Sequence, residues 1–305
     1  MLGYFVRRAA TSVAVLLAIS LIVFTLTNVT QDPAIAIAGT GASADDIRMV
    51  RVTYGLDRPI LRRYAAWLGD ALHGDMGVSY RQRRPAMEII AERLPTTVRL
   101  SFMSLGLALV VSLLLGSASA ALPGSFIDHF ALWLALLGQA MPSFWLALLL
   151  ISVFSVSLGW LPSSGAQSAR NFIMPTVVLS FYVLPAFLRL TRTGLMDVMG
   201  ADYIRTAWAK GLRPTAVIGK HALKNAIVPI ISIAAVQLGY LLGGSVVTET
   251  IFAMNGIGYL AWESSSQSDL PVVQALVLIT GFFYVALTLL ADLVNSMIDR
   301  RIRLA

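Results

Sequence analysis

Six stretches of this chain carry no charged residue over eighteen or more consecutive positions, which is the length a helix needs to cross a lipid bilayer. They are residues 9–31, 100–127, 130–169, 171–188, 225–248 and 270–291. The third is too long for one crossing. Gly159, Pro162 and Gly165 punctuate its second half, so its helix is expected to end near Leu158, with a loop at 159–169. Lipid offers no partner for backbone N–H and C=O groups, so uncharged runs of this length must be helical. The expected fold class is an all-α integral membrane protein with six transmembrane helices.

Composition supports this reading. At 57% hydrophobic and 13% charged, the 305 residues could not clothe a soluble domain in polar surface. The net charge of +7 invites a nucleic-acid reading, but the cations are scattered among apolar runs, without a patch interleaved with base-stacking aromatics. Lipid is the expected partner and nucleic acid is not. With no cysteine, disulfide frameworks and thiolate chemistry are excluded, and the compartment is left open.

Arg7 and Arg8 before the first run resemble the start of a signal peptide, and 34–38 (AIAIA) offers small residues for cleavage; the apolar core is longer than a signal sequence uses, so an uncleaved anchor is expected. Lysine and arginine near the span ends set orientation. Arg7 and Arg8, the cluster Arg189, Arg192, Arg205, Lys210, Arg213, Lys220 and Lys224, and Arg300, Arg301 and Arg303 all fall on one side of six spans. That side should be the cytoplasm, with both termini inside. Residues 32–99 would lie outside despite ten arginines, offset by eight acidic residues; segments of this length cross largely regardless of charge. Tyr64, Trp67, Pro59 and paired charges such as Arg62 and Asp70 suggest a small helical element there, without an independent core. Further on, Pro95 and Thr96 are placed to open the second membrane helix.

The longest polar and basic segment between two apolar runs is ADYIRTAWAKGLRPTAVIGKHALKNAIVP, residues 201–229. Its pattern predicts two short amphipathic helices around Gly211 and Pro214. Tyr203, Ala207 and Gly211 form one i, i+4 row and Ile204, Trp208 and Leu212 another, with Asp202 as N-cap and Gly211 as stop. Thr215 is placed to cap a second turn carrying Val217, Ile218, His221 and Ala222. A helix pair apolar on one side and basic on the other is shaped to dock into a partner's groove.

DYIRTAWAKGL followed by HALKNAIVP resembles the cytoplasmic loop of the permease subunits of binding-protein-dependent ABC importers, in the dipeptide, oligopeptide and nickel branch. The segments GLDRPILRRYAAWL, HGDMGVS, GGSVVTETIFAMNGIGYL and DLPVVQAL add to the resemblance, and Leu94 through Asp292 is similar to the shared permease core. The Glu and first Ala of the general EAA motif are here Arg205 and Thr206, and Asn255 stands where relatives usually carry proline.

The resemblance implies a type I ABC importer transmembrane domain: an N-terminal helix and extracytoplasmic segment over 1–93, a core over 94–293 with its coupling loop at 195–228, and a tail at 294–305. It implies that Asp202, Tyr203, Ile204, Arg205, Thr206, Ala207, Trp208, Ala209, Lys210, Gly211, His221, Lys224 and Asn225 couple the chain to an ATPase. Tyr203, Ile204, Ala207 and Trp208 would anchor, Arg205, Lys210 and Lys224 would orient by charge, and Gly211 would permit the turn. The implied function is import of di- or oligopeptides across the bacterial inner membrane by alternating access, with nickel, a metal chelate or glutathione as alternatives. The implied partners are a second, homologous permease, two ATPase subunits holding ATP and Mg, and a solute-binding protein, which segment 32–95 either touches or merely connects past.

Two sets of residues are candidates for the translocation path. Gln139, Met141, Pro142 and Ser143 interrupt an aliphatic run, as path lining or as a packed kink. Gln237, Tyr240 and Ser245 lie in the fifth run among Gly239, Gly243 and Gly244, where close helix packing is the plainer reading. Glu249 is expected at a helix end within reach of water. No catalytic or metal constellation is legible: His73, His129 and His221 are expected in three separate loops, and no HExxH or Walker A sequence occurs. Span centres lack charge, which argues for energy supplied from outside the spans. A stand-alone carrier would be expected to show an internal repeat, and an intramembrane enzyme a catalytic pair at bilayer depth; neither is legible.

Overall fold

The computed structural model describes residues 2–30, 32–39 and 41–298. Its helices are α1 (Leu2–Thr30), α2 (Pro33–Ala38), α3 (Ala44–Thr53), α4 (Ile60–Leu72), α5 (Ala86–Ala121), α6 (Phe126–Ala140), α7 (Ser143–Leu150), α8 (Ala169–Met199), α9 (Asp202–Ala209), α10 (Pro214–Ala216), α11 (Leu223–Gly244), α12 (Val246–Ile251), α13 (Ile257–Ser266) and α14 (Leu270–Ile298). Stretches of π-helix at Ile151–Ser157 and Val217–Ala222 continue α7 and join α10 to α11.

By length and composition α1, α5, α8 and α14 can each cross a membrane. Two bent pairs qualify jointly: α6 with α7 and its extension, bent by 103°, and Val217–Ile227 with Pro229–Gly243, bent by 57°. Counting each pair as one crossing makes six, the expected number. Both bends fall at prolines, whose rings remove a donor and obstruct the preceding turn. Pro142 is therefore a corner between two helices rather than a kink inside one. Met141, extended at φ −85° and ψ 122°, closes α6, and Pro142 stands immediately before α7.

The chain forms two compact units, Met1–Thr97 with Asn255–Val285, and Val98–Met254 with Ala286–Ala305. In the first, α5 begins nine residues before Pro95, so Pro95 and Thr96 do not open the helix. The reason is apolar packing. Ala86, Ile89 and Ile90 are buried with Ile257, Leu260, Val272, Ala275 and Leu276. Two buried isoleucines contribute about 1.5–3 kcal/mol each, which offsets the roughly 3 kcal/mol cost of a proline within the helix. Thr97 Oγ1 accepts the Ile257 N–H at 2.9 Å, and Arg93 Nη1 donates to Asn255 Oδ1 at 2.8 Å, which fixes the asparagine side chain.

The HGDMGVS stretch ends in a polar lock. The buried Asp269 carboxylate accepts from Ser79 Oγ and, at 2.9 Å, from the Tyr80 N–H. Burial, with Asp269 adding to it, pushes the Tyr80 phenol up to about 12, so it stays neutral beside the carboxylate. Elsewhere in this unit Tyr64 and Trp67 of α4 pack on Phe24 of α1, and the Tyr64 hydroxyl meets Ser20 Oγ at 2.8 Å. Ion pairs among the described residues of the segment include Arg51 with Asp32 at 2.5 Å, and Arg84 with both Glu92 and, at 3.6 Å, Glu88. Arg62 and Asp70 are not paired: eight residues along α4 separate them by about 12 Å.

In the second unit α8 is the central helix. Of its most apolar eighteen residues 72% are buried, against 11, 33 and 22% for α1, α5 and α14. It runs eleven residues past the uncharged stretch 171–188, to Met199. Its neighbours approach closely through glycine: a Cβ at Gly138 of α6 would lie 2.7 Å from the Phe181 carbonyl oxygen and 2.9 Å from Pro185. Backbone cannot yield there. A Cβ at Gly243, by contrast, would meet nothing within 4 Å among the described residues, so the close packing expected of that glycine is not made among them.

Gly138→Ala is expected to destabilise the purified protein by about 1–3 kcal/mol through overpacking. Gly106→Ala, in the interior of α5 with open space around it, should be neutral or mildly stabilising. Thermal unfolding in detergent, followed by tryptophan fluorescence, would show a lowered Tm for the first alone.

Candidate functional site

The basic segment folds as an elbow between α8 and α11. Its first arm, α9, is preceded by Ala201 in an extended conformation (φ −74°, ψ 148°) without a side-chain cap. Asp202 is thus the first helical residue rather than the cap; it faces solvent, favoured by the helix dipole, and lies 3.5 Å from Arg205. Thr206 Oγ1 donates to the Asp202 carbonyl at 2.9 Å.

The arm ends where expected. Gly211 has φ +72°, and the Gly211 N–H donates to the Trp208 carbonyl at 2.9 Å and the Leu212 N–H to the Ala207 carbonyl at 3.4 Å. This is the paired closure of a Schellman motif, with Lys210 as C-cap and glycine in the left-handed position. The second arm differs from expectation. Arg213 rather than Thr215 precedes α10, Pro214 takes the first helical position, and the helix continues through Val217–Ala222 into α11. His221 therefore lies on a helix, as does His129, and not in a loop.

Burial separates the side chains of α9 into two roles. Ile204 and Ala207 are buried with Ala120 of α5, Leu195 of α8, and Val217, Ala222 and Ala226 of the second arm. They were expected to anchor a partner; they anchor α9 to its own bundle. Tyr203, Trp208 and Leu212 remain exposed. Around them Arg205, Ala209, Lys210, Arg213, Lys220 and Lys224 also face solvent. Asn225 Nδ2 donates to the Tyr203 hydroxyl at 2.7 Å, tying the two arms. The outer face of the elbow is thus aromatic and cationic, and its inner face is packed on α8 and the second arm.

The base has an ionic brace that sequence reading missed. Arg192 of α8 grips Asp128 of α6 in two bonds, Nε to Oδ1 at 2.7 Å and Nη2 to Oδ2 at 3.0 Å. Ser119 of α5 donates to Oδ1 at 2.5 Å and the Gly124 N–H to Oδ2 at 2.9 Å. A buried carboxylate with four donors is fully satisfied, and a bidentate arginine fixes direction as well as distance. Ser119 adjoins Ala120, and Arg192 lies one turn from Leu195, so the brace fixes the wall of the α9 socket.

The path candidates separate likewise. Ser245 is buried and donates to Glu249 Oε1 at 2.6 Å; Glu249 is itself buried, not in reach of water as expected. Met141 and Ser143 are partly buried at the α6–α7 corner and Gln237 is partly buried in α11, while Pro142 is exposed. Gln139 and Tyr240 are exposed and belong to one surface. Gln139 Oε1 accepts from Arg189 Nη1 at 2.8 Å, and Tyr240 stacks on Tyr182 with ring centroids 5.4 Å apart. Arg189 and Tyr182 both lie on the exposed stripe of α8. An arginine directly after an uncharged run was the available signal for this surface.

Residues 112–304 match the family model described as binding-protein-dependent transport system inner membrane component, and residues 1–101 match the model of its N-terminal part. The chain belongs to this family. The permease is 38% identical over 312 residues to a peptide transport system permease protein of Brucella abortus (strain 2308), with 99% of each chain covered. It is 36% identical over 304 residues to the glutathione transport system permease protein of Escherichia coli (strain K12), again with 99% of each covered. Among solved structures it is similar to a chain of the MetNI methionine ABC transporter in inward-facing conformations, with a TM-score of 0.55 and 19% identity over 70% of this chain and 97% of that one. That likeness speaks for the fold, the transmembrane fold of type I ABC importers. The permease is a multi-pass inner-membrane protein.

Gly211→Val should reduce transport by the assembled system at least tenfold, because a β-branched residue resists φ +72°, although a Cβ there has room. Gly211→Asn, which tolerates that conformation, should keep most of it. Uptake of radiolabelled substrate in cells, with membrane levels matched by immunoblot, separates the two.

Proposed function

We propose that the permease imports short peptides, forming the pathway with a second, homologous permease and taking its energy from two ATPase subunits docked on the elbow. The observation that carries this is the division of α9: Ile204 and Ala207 clamp it to α8 and α11, while Tyr203, Trp208 and Leu212 stand free among cations. An apolar, basic ridge on a rigid base suits an acidic, apolar cleft, and movement of whatever grips it passes to the bundle. ATP and Mg would be held by the partner subunits, whose closure would bias the bundle between two access states. A solute-binding protein on the opposite face would deliver the peptide. Full-length likeness to a peptide permease supports this substrate class; equal coverage by a glutathione permease supports glutathione, itself a small peptide, as the second reading.

The elbow and both termini are proposed to lie in the cytoplasm, since Arg7 and Arg8, the elbow cations and Arg300, Arg301 and Arg303 share one side of six spans. Because the chain has no cysteine, Lys220→Cys supplies a single thiol. A membrane-impermeant maleimide should label it in inverted vesicles and not in intact cells; the reverse pattern overturns the orientation.

The complex purified through a tag on this permease is expected to contain two ATPases and a sister permease, and in proteoliposomes with the binding protein to accumulate a tripeptide only with ATP. Uphill uptake by the isolated chain would refute the proposal.

A further inference from the structure

The open stripe of α8 carries a cation, Arg189, whose hydrogen-bond partner is a neutral side chain. Arg189 is the first charge after the uncharged residues 171–188 and is exposed on the helix. An arginine near a helix end ordinarily extends its side chain toward the polar boundary. Here its guanidinium reaches instead to Gln139, the neighbour of Gly138, and Gly138 packs at the level of Phe181 and Pro185. The charge is therefore engaged by a neutral side chain of α6. Tyr182, one turn beyond Pro185's level at most, stacks there on Tyr240. Gln139 offers one neutral acceptor to a group with five donors, and no carboxylate pairs with Arg189 among the described residues. Arg192, three residues on, shows the alternative: its charge is met by Asp128. A guanidinium turned to hydrocarbon is costly, and Arg189 directly follows an uncharged run, so this stripe faces a polar passage or an anion.

We propose that Arg189 and Gln139, with the Tyr182–Tyr240 stack beside them, form a binding site on the passage for a solute bearing a free carboxylate, the C-terminal carboxylate of a short peptide. The planar fork of Arg189 takes the carboxylate in paired hydrogen bonds, Gln139 keeps the fork aimed inward between solutes, and the tyrosine rings receive the apolar part of the solute. This rests on the import reading above and adds to it the chemical group that is recognised.

The test is uptake by the complete transporter in proteoliposomes, with binding protein saturated by tri-alanine or by its C-terminal amide. The readout is the ratio of maximal rates, acid over amide. Arg189→Gln should lower that ratio about tenfold or more, the scale of losing a charge-assisted hydrogen-bonded pair. Gln139→Glu, nearly isosteric, places a competing carboxylate on Arg189 and should lower it as well, which keeps the test decisive if Arg189→Gln fails to assemble. An unchanged ratio in both variants overturns the proposal. So does an equal loss of acid and amide uptake, the result if Arg189 instead pairs with a carboxylate of the sister permease. If the unsubstituted complex takes up neither peptide with ATP, the import reading itself fails, and this one with it.

Discussion

Ile204 sits wholly out of reach of solvent in a socket formed by Leu195, Val217, Ala222 and Ala226, and the placement of α9 depends on that contact. A helix of eight residues does not persist alone in water, because nucleation is costly and the stabilisation per residue small. α9 exists as a helix at this place because Ile204 and Ala207 give it an apolar face to bury. Removing the isoleucine side chain would cost several kcal/mol and leave the arm without a fixed direction. With it, the exposed Tyr203 and Trp208 are carried in a defined orientation relative to α8 and α11.

The socket is only as rigid as its walls, and those are held by close backbone approach and by ionic geometry. Gly138 brings α6 against the carbonyl of Phe181, and at Gly116 of α5 an added Cβ would lie 2.8 Å from Thr191. Near the socket, the Asp128 carboxylate joins α5, α6 and α8 through Ser119 and Arg192. A buried pair of this kind contributes little net stability over apolar packing, but losing one partner strands the other. Its use is to specify one arrangement of three helices. The two arginines of α8 illustrate how environment assigns role: Arg192 is consumed by structure, whereas Arg189 is left with donors to spare.

Much of this was legible in the sequence, for physical reasons. Uncharged runs report spans because the bilayer tolerates few alternatives, and the positive φ at Gly211 could be read because a glycine after a helical repeat rarely has another reason to be there. Boundaries set by tertiary burial were not legible. Ile89 and Ile90 pull α5 ahead of Pro95 only because Ile257 and Val272, far along the chain, wait to cover them. The two faces of α9 were merged for the same reason: Ile204 and Trp208 belong to one i, i+4 row, and nothing local says that the first is covered by Ala226 while the second is not. Ser245 is a path candidate in the sequence beside the plainer packing reading, and its bond to a buried Glu249 is invisible without the turn between α11 and α12.

Leu195 and Arg189 occupy the same helix six residues apart, about 9 Å along its axis. One is in the elbow's socket and the other on the open stripe. α8 is continuous between these positions and contains no proline there; Pro175 and Pro185 both precede them. A force on α9 therefore reaches Arg189 through one element of covalent and hydrogen-bonded structure, with the Asp128 brace between. The aim of the guanidinium rests on its hydrogen bond to Gln139 of α6, the helix that the same brace ties to α8. Under the proposed function, an event outside the membrane would in this way be tied to the hold on a carboxylate, with α8 as the common part.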